Sequence, residues 1–281
     1  MLRDRACPQC ASFERAEYYR RAEFHIWICA KCSFAYTAPV LAPGDLRGHY
    51  ERRNHSGHAE LNIDTEESRR GRVWELGLRR LGQLVAPGRL LDVGCSVGGV
   101  LSAASRAGWS PVGVEISTRD AELVRSRLGF EVFCGTLEEA PFAQGSFDAV
   151  TFFDVLEHLL DPREALAAAR RFLRPGGVLL ARVPNFSFNR ARIRMLQLIG
   201  PKEGVEMHLK LHVNHFDPST LAEMLEGVGF ARPRIEVGEA DLFRGGAANA
   251  GKIAYSAAAR AVLRCGGPNL GNIIEAYVAK S

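Results

Sequence analysis

The stretch Leu90–Gly99 constrains the fold of this chain more than any other part of the sequence. Leu90–Val93 has the apolar character of a buried strand, and a loop with glycines at positions 94, 98 and 99 follows it directly. Gly94 permits a tight turn and Gly98 permits close approach of a ligand, because glycine adopts positive φ angles without steric cost. A strand, a glycine loop and a helix start in this order predict a βαβ unit that binds a nucleotide-like ligand.

Two residues, Ser96 and Asp92, distinguish this unit from a dinucleotide-binding fingerprint, and a third, Glu115, matches it. Ser96 stands where that fingerprint has its second glycine, which makes room for a pyrophosphate at the helix N-terminus. Asp92 would repel a pyrophosphate and suits a cationic group, such as the amino group of an amino-acid cofactor. Glu115 follows about 20 residues after the loop, where an acidic side chain can accept both ribose hydroxyls. These residues favour a cofactor with a ribose and an aminoacyl cation, and a Rossmann-type fold that binds some other nucleotide is the alternative.

Strands and helices alternate along the rest of the chain. After Arg89–Val93, the predicted strands are Pro111–Glu115, Phe130–Cys134, Phe147–Phe153 and Val178–Val183. The predicted helices are 64–85, 99–107, 118–128, 162–173 and 218–227. This alternation predicts an α/β fold that is Rossmann-like and doubly wound, with a mostly parallel sheet. Arg234–Val237 and Ile273–Ala279 are candidate closing strands, expected to form an antiparallel pair at the sheet edge.

Five motifs together resemble the class I S-adenosylmethionine-dependent methyltransferases, over roughly residues 70–235. They are Leu91–Cys95, Gly113–Ser117, Ser146–Asp148, Asp154–His158 and Leu173–Gly177. The resemblance implies that S-adenosylmethionine is the cofactor, with its methionine portion at Asp92 and Gly94 and its ribose on Glu115. It also implies that Thr136 and Leu137 border the adenine. The complete predicted cofactor set is Asp92, Gly94, Cys95, Ser96, Gly98, Glu115, Ile116, Thr136, Leu137 and Asp154.

Four of the seven cysteines form two CxxC pairs near the N-terminus. They are Cys7, Cys10, Cys29 and Cys32, and the remaining Cys95, Cys134 and Cys265 are scattered. An odd total argues against a disulfide framework, and the pair spacing matches a four-cysteine zinc ribbon. Iron bound by the same four cysteines, in a rubredoxin-like site, is the alternative to zinc. Four protein ligands leave no open position, so we expect a structural metal that supplies much of the folding energy of so small a unit.

These features divide the chain into three predicted parts. A zinc ribbon is expected over residues 1–40 and a linker or active-site flap over 41–63, from which Tyr50 could close over the methionine end of the cofactor. The methyltransferase domain is expected over 64–281. Residues 238–270 form a Gly- and Ala-rich insertion that we expect to shape the acceptor pocket.

Two clusters are candidates for removing a proton from the methyl acceptor. Asp154, Glu157 and His158 follow the fourth strand and would share one face of a helix. They resemble the trio of quinone-biosynthesis O-methyltransferases, which can hold a divalent cation, although Asp154 replaces the usual glutamate. The alternative is that Glu157 and His158 orient a loop through hydrogen bonds.

The second cluster contains His208, His212 and His215. The stretch from His212 to Asp217 is similar to one in sugar C-methyltransferases, where the histidine that matches His212 is the general base. Leu211 replaces the glutamate that precedes that histidine. A three-histidine metal site is an alternative by spacing, and His215 is also expected as a cap and packing position before the next helix. The predicted catalytic residues are therefore His212 and His158.

The leading interpretation is a methyltransferase with a small-molecule acceptor, such as a sugar, a glycan precursor or a related biosynthetic intermediate. O-methylation is favoured over C-methylation. The basic stretch Arg182–Lys210 leaves an RNA methyltransferase open, but a net charge of +4 gives little support for nucleic acid binding. The third alternative, an interaction protein with a vestigial cofactor site, is disfavoured by the intact Asp92, Gly94, Gly98 and Glu115.

The expected cellular location depends on two sequence signals, a membrane span and a signal peptide. No uninterrupted apolar run reaches the roughly 18 residues that a membrane span needs. The N-terminus also lacks a basic segment followed by an apolar core, so we expect no signal peptide, no membrane insertion and a cytoplasmic protein. The oligomeric state and the identity of the acceptor stay open at this point.

Overall fold

A computed structural model describes residues 2–21, 24–42, 48, 63–191, 212–239, 241 and 247–281. Tyr50, the residue that could close over the cofactor, and His208, a member of the alternative three-histidine metal site, lie outside these described residues. Five strands occupy the N-terminal part: β1 (Leu2–Arg3), β2 (Arg15–Arg21), β3 (Phe24–Cys29), β4 (Ala35–Ala38) and β5 (Val40–Leu41). The later strands are β6 (Arg89–Val93), β7 (Ser110–Glu115), β8 (Glu131–Cys134), β9 (Phe147–Phe153), β10 (Leu173–Pro184), β11 (Asn214–His215), β12 (Arg234–Val237) and β13 (Ile273–Ala279).

A seven-stranded sheet forms the centre of the molecule, in the order β8-β7-β6-β9-β10-β13-β12. Its first five strands are parallel, and β13 is antiparallel to both β10 and β12. The prediction of a mostly parallel sheet with an antiparallel closing strand is confirmed. Because β6 lies between β7 and β9, the order of the strands reverses there, and ligands of such sheets bind at the carboxyl ends of the strands beside this reversal.

Five helices lie at the predicted places, and a sixth, Ala247–Arg264, forms within the stretch 238–270 that was expected only as a Gly- and Ala-rich insertion. They are α1 (Ile63–Leu84), α2 (Gly99–Arg106), α3 (Thr118–Leu123), α4 (Pro162–Phe172), α5 (Pro218–Gly227) and α6 (Ala247–Arg264). Helix α4 begins where the Asp161 carboxylate accepts a hydrogen bond from the Glu164 amide, and Asp217 caps α5 through the Thr220 amide in the same way. The predicted helix over 118–128 is regular only as far as Leu123 and ends in a π-helical turn, Val124–Leu128.

The apolar face of α1 holds it against the sheet. Val73, Trp74, Leu78 and Leu81 recur at helical spacing, and each is at most 4% exposed. They pack with Leu90 and other buried residues of the central strands. In the described part of the chain, no helix is both long enough and apolar enough to cross a membrane.

The N-terminal strands form a second sheet that is completed by a distant segment. Its order is β11-β4-β3-β2, so Asn214–His215 is its edge strand. The rings of Phe34 and Phe216 meet at 5.2 Å and belong to the same core as the central strands. The N-terminal unit therefore shares both a sheet and a core with the rest of the chain, and its predicted boundary at residue 40 stays a prediction.

Candidate active site

The glycine loop between β6 and α2 has the left-handed backbone that its sequence predicts. The φ angles of Gly94, Ser96 and Gly98 are 70°, 47° and 85°. A Cβ atom at Gly94 would lie 2.7 Å from Val155 Cγ2, so this glycine leaves room for the segment that follows β9. Ser96 adopts a conformation that glycine favours, and its amide hydrogen is directed at the carboxylate of Glu115.

Glu115 ends β7 with its carboxylate already oriented by the backbone. Its Oε2 accepts a hydrogen bond from the Ser96 amide at 2.9 Å, and its Oε1 accepts one from the Ser117 amide at 2.8 Å. Burial raises the pKa of Glu115, and the two amide hydrogen bonds oppose that rise. A carboxylate held at the loop in this way can accept hydrogen bonds from a ligand without reorganising.

Asp92 is a buried carboxylate that faces no ion-pair partner among the described residues. It is 1% exposed, and its Oδ1 accepts a hydrogen bond from the Thr151 hydroxyl at 2.7 Å. Burial raises its pKa to about 7. A buried carboxylate with a raised pKa is stabilised in its charged form by a cation, and the ligand has to bring that cation.

The other predicted cofactor residues differ in what they can offer. The Cys95 side chain is buried against Gly113, where a Cβ atom would lie 2.6 Å from Sγ. Leu137 is 3% exposed and packs in the main core. Ile116 and Thr136 are half-buried at the carboxyl ends of β7 and β8. The assignment of all four residues to the cofactor stays a prediction.

The structure changes the expected environment of Asp154. This residue has a φ of 57° and precedes a 3-10 turn, Leu156–His158, so the prediction that it shares a helix face with Glu157 and His158 is wrong. Its carboxylate accepts hydrogen bonds from Arg70 and Arg182 instead. Its assignment to the cofactor stays a prediction.

Arg182 does not belong to a basic surface. The side chain is 1% exposed and also binds Asp241 Oδ1 at 2.9 Å and the Glu239 carbonyl. The expected basic stretch therefore loses its first member. Four others, Arg192, Arg194, Lys202 and Lys210, lie outside the described residues.

Glu157, His158 and His212 form the side-chain cluster that the sequence did not reveal as one group. Their ligating atoms all lie within 4.8 Å of one another, and the two histidine rings meet edge to face with centroids 4.8 Å apart. Glu157 is 1% exposed, and no other residue in the described part of the chain gives a hydrogen bond to its carboxylate oxygens. Burial raises its pKa to about 7, and nearby Arg182 and Arg70 oppose that rise. The cluster can exchange a proton or hold a divalent cation.

His215 is not part of this cluster. It is buried at the edge of the N-terminal sheet, with Nε2 3.1 Å from the Thr37 hydroxyl. Burial, with a smaller contribution from Arg5, lowers its pKa to about 3, so it is neutral. Its predicted packing position before α5 is confirmed, while the cap of that helix is Asp217.

The four N-terminal cysteines have the geometry of a tetrahedral metal site. Sγ of Cys7 lies 3.5 Å from Sγ of Cys32, Sγ of Cys10 lies 3.5 Å from Sγ of Cys29, and all four sulfurs lie within 4.8 Å of one another. A tetrahedral zinc ion with Zn–S bonds of about 2.3 Å separates its sulfurs by about 3.8 Å. Each CxxC turn closes with an amide-to-carbonyl hydrogen bond, from Ala11 to Cys7 and from Ser33 to Cys29. The four residues present fit zinc.

Residues 66–232, more than half of the 281-residue chain, match the family described as methyltransferase domain. The chain belongs to this methyltransferase family. A probable S-adenosylmethionine-dependent methyltransferase of Mycolicibacterium smegmatis is 29% identical, over 59% of this chain and 60% of its own length. A ubiquinone biosynthesis O-methyltransferase of Aromatoleum aromaticum is 32% identical, over 50% of this chain and 63% of its own length. The alignments thus span less than two thirds of either curated relative.

The fold of this chain is also found in solved protein structures. Phosphoethanolamine N-methyltransferase 2 of Haemonchus contortus, in complex with S-adenosyl-L-methionine, matches with a TM-score of 0.57 at 16% identity. The match covers 95% of this chain and 70% of that chain. At this identity the likeness concerns the fold alone.

The residues at the glycine loop fit S-adenosylmethionine. The buried Asp92 needs a cation, and the amino group of the cofactor is one. Glu115 presents an oriented carboxylate one strand away, at the distance along the chain where a ribose is held. A pyrophosphate would meet both carboxylates and be repelled.

The affinity of the methyltransferase for S-adenosylmethionine is expected to depend on pH through Asp92. Because the pKa of Asp92 is raised to about 7, the free protein carries a proton there at lower pH, and binding of the cationic cofactor must release it. Affinity should therefore rise from about pH 5.5 to about pH 7. Calorimetry in two buffers of different ionisation enthalpy would measure the proton release, and Asp92→Asn should abolish it. A flat affinity profile with no proton release would contradict the assignment of Asp92.

Proposed function

We propose that this chain is an S-adenosylmethionine-dependent methyltransferase that methylates a hydroxyl of a small molecule, with Glu157, His158 and His212 handling the proton. One observation carries the proposal. A buried carboxylate that receives no hydrogen bond from any other described residue lies beside two histidines, at the carboxyl end of β9 and next to the cofactor loop. A side chain that is buried and unpaired in a cleft is a candidate for chemistry, because its desolvation cost is not repaid by the fold.

The position of the cluster relative to the cofactor loop supports this role. Val155, two residues before Glu157, packs against Gly94 of the loop. Arg70 acts electrostatically on both Asp92 and Glu157, so one side chain lies near both carboxylates. The methyl donor and the proton acceptor would therefore meet at the edge of the sheet between β6 and β9.

Each group would have its own task. The bound cofactor supplies a methyl group that its sulfonium already activates. Glu115 would hold the ribose and Asp92 the amino group, which aligns that methyl group with the acceptor. A hydroxyl acceptor must also lose a proton, and His212 or His158 would take it, with Glu157 stabilising the charged imidazole. Such proton transfer contributes about 100- to 10,000-fold to a rate.

The proposal names the methyl acceptor only as a class of small molecules, whereas it names the reaction as O-methylation. A sugar, a glycan precursor or a related biosynthetic intermediate remains the proposed acceptor. O-methylation is favoured over C-methylation by the relatives named ubiquinone biosynthesis O-methyltransferases. The comparisons do not support the RNA alternative, and the burial of Arg182 removes part of the surface on which it depended.

The test is transfer of labelled methyl groups from S-adenosylmethionine to a panel of hydroxylated acceptors: phenols, catechols, nucleotide sugars and an RNA. We expect an O-methylated small molecule. In Glu157→Gln and His212→Ala, turnover should fall by about 100-fold or more while cofactor affinity stays unchanged. Glu164→Gln, an exposed glutamate at the start of α4, is the matched control and should keep full turnover.

Three outcomes separate the alternatives. Full turnover in both variants would exclude Glu157 and His212 from the proton transfer, and full turnover in the double variant His158→Ala/His212→Ala would exclude the cluster as the proton acceptor. Loss of wild-type turnover with EDTA and its recovery with Mg²⁺ would assign the three side chains to a divalent cation instead. Methyl transfer to RNA alone would exclude the small-molecule acceptor.

A further inference from the structure

The segment that carries His212 is held by the N-terminal unit rather than by the central sheet. Asn214 and His215 pair with Tyr36 and Ala35 of β4, in antiparallel register. Beyond the paired residues, the Thr37 amide donates to the Val213 carbonyl at 2.9 Å. The Thr37 hydroxyl donates to the carbonyl of His212 itself at 3.3 Å. We call the N-terminal unit, with its sheet strands β2–β4 and its four cysteines, the cysteine unit. Its residue Thr37 thus contacts the backbone of a candidate catalytic residue that is 175 positions later in the chain.

Arg5, two residues before the first cysteine, joins the same segment to the turn that carries His158. Its guanidinium donates to the Leu160 carbonyl at 3.0 Å, to the Val213 carbonyl at 2.5 Å and to Asn214 Oδ1 at 3.1 Å. The same group also donates to the Thr37 carbonyl at 3.0 Å. Arg5 therefore fixes one loop on each side of the histidine pair from a single rigid, planar group.

Two further hydrogen bonds join the His158 turn directly to the His212 segment. The Val213 amide donates to the Glu157 carbonyl at 2.8 Å. The side-chain amide of Asn214 donates to the carbonyls of Leu156 and Leu159 at 2.9 and 2.7 Å. Arg5 in turn holds the oxygen end of that amide, so the contacts form one connected network between the cysteine unit and both histidines.

We propose that the cysteine unit is a positioning module for the active site, in which Arg5 and Thr37 hold the His158 turn and the His212 segment so that the two imidazoles stay in contact. The proposal rests on the proposed function for its catalytic consequence. Its geometric part stands independently, because it concerns only whether the two rings remain adjacent. Arg5 and Thr37 are positioning residues, since their contacts run through the backbone of the His158 and His212 segments.

The decisive variants are Thr37→Val and Arg5→Met, prepared as the full-length, zinc-loaded chain. Thr37→Val has nearly the same shape but lacks the hydroxyl, and Thr37→Ser keeps the hydroxyl. Arg5→Met removes the guanidinium and keeps an unbranched side chain of similar length. Arg20→Met is the matched control, because Arg20 lies on the same sheet, is exposed and pairs with Glu17.

Two measurements need no acceptor. The first is the nuclear Overhauser contact between the ring protons of His158 and His212, which we expect in the wild type, Arg20→Met and Thr37→Ser, and expect to vanish in Thr37→Val and Arg5→Met. The second is hydrogen exchange of the amides in residues 212–217, which should become about tenfold faster in Thr37→Val, as expected for the lost bond to the His212 carbonyl, and faster still in Arg5→Met, which loses four hydrogen bonds. Zinc content and affinity for S-adenosylmethionine should not change.

With an acceptor identified, the same two variants should lower kcat by about tenfold and leave KM for S-adenosylmethionine unchanged. An unchanged ring contact in Thr37→Val and Arg5→Met would overturn the proposal. If Arg5→Met lost its zinc, Thr37→Val would decide together with Thr37→Ser, because the pair differs in the hydroxyl that contacts the His212 carbonyl and His215 Nε2. If the double variant His158→Ala/His212→Ala kept full turnover while the wild-type ring contact still depended on Arg5 and Thr37, the proposed function would fail and the positioning module would stand.

Discussion

Glu115→Ala is expected to lower the affinity for S-adenosylmethionine by at least about 100-fold, because the substitution removes two charge-assisted hydrogen bonds worth about 1.5 kcal/mol or more each. In the wild type, the Ser96 and Ser117 amides hold the carboxylate at the end of β7, so it binds the ribose without first being ordered. The alanine variant also leaves both amides without their acceptor. Titration calorimetry with S-adenosylmethionine measures the loss directly.

Two other glutamate variants separate the hydrogen bonds from a general loss of stability. Glu115→Gln keeps the size of the side chain and one acceptor oxygen, so its affinity should lie between those of the wild type and the alanine variant. Glu131→Ala lies on the neighbouring strand β8 and removes an exposed glutamate, 3.8 Å from Arg89, so affinity should change by no more than about twofold. Equal affinity in Glu115→Ala and the wild type would show that another residue binds the ribose.

The central sheet could be predicted because each strand is a short apolar run with clear limits. Arg89–Val93 and Phe147–Phe153 begin and end where the sequence indicates. Strands that are buried on both faces carry this signal in their own residues. The last parallel strand begins at Leu173 instead of Val178, because the stretch from Arg174 to Gly177 is accommodated as an irregularity in its pairing with β9.

Contacts between distant segments could not be predicted in this way. The strand Asn214–His215 is two residues long and has no hydrophobic period to detect. Its partner β4 is more than 170 residues earlier, and the sequence alone carries no information on that pairing. The prediction accordingly grouped histidines by their distance along the chain, whereas the fold brings His158 next to His212 and turns His215 towards Thr37.

Charged side chains were the least predictable part of the site. Arg70 in α1 gives no sequence signal, and Arg182 was expected on a surface, yet both bind Asp154 inside the molecule. Buried arginines are paired because an isolated buried charge is costly, but the sequence does not say which carboxylate provides the pair. The cofactor loop was predictable for the opposite reason, since its function depends on backbone conformations that glycine residues reveal.

Cys29→Ser is expected to abolish zinc binding and unfold the N-terminal sheet, while the central sheet keeps its affinity for S-adenosylmethionine. A structural zinc site contributes about 10–16 kcal/mol to the folding of a small unit, which matches or exceeds the roughly 5–15 kcal/mol that stabilises a whole domain. The N-terminal strands are few and short, whereas β6, β9 and β10 also pack with α1 in a second core around Leu90, Ala149 and Leu180 that contains no residue of the N-terminal unit. Loss of the metal should therefore be local.

Zinc analysis together with hydrogen exchange tests this expectation, with Cys265→Ser as the matched control at an exposed cysteine. In Cys29→Ser, the amides of β2, β3 and β4 should lose their protection, and those of the paired β11 should follow, because the edge strand has no other sheet to join. The ring contact between His158 and His212 should then be lost as well. A bound zinc ion in Cys29→Ser would exclude Cys29 as a required ligand, whereas full protection without zinc would mean that core contacts with Phe216 and the central strands order this unit.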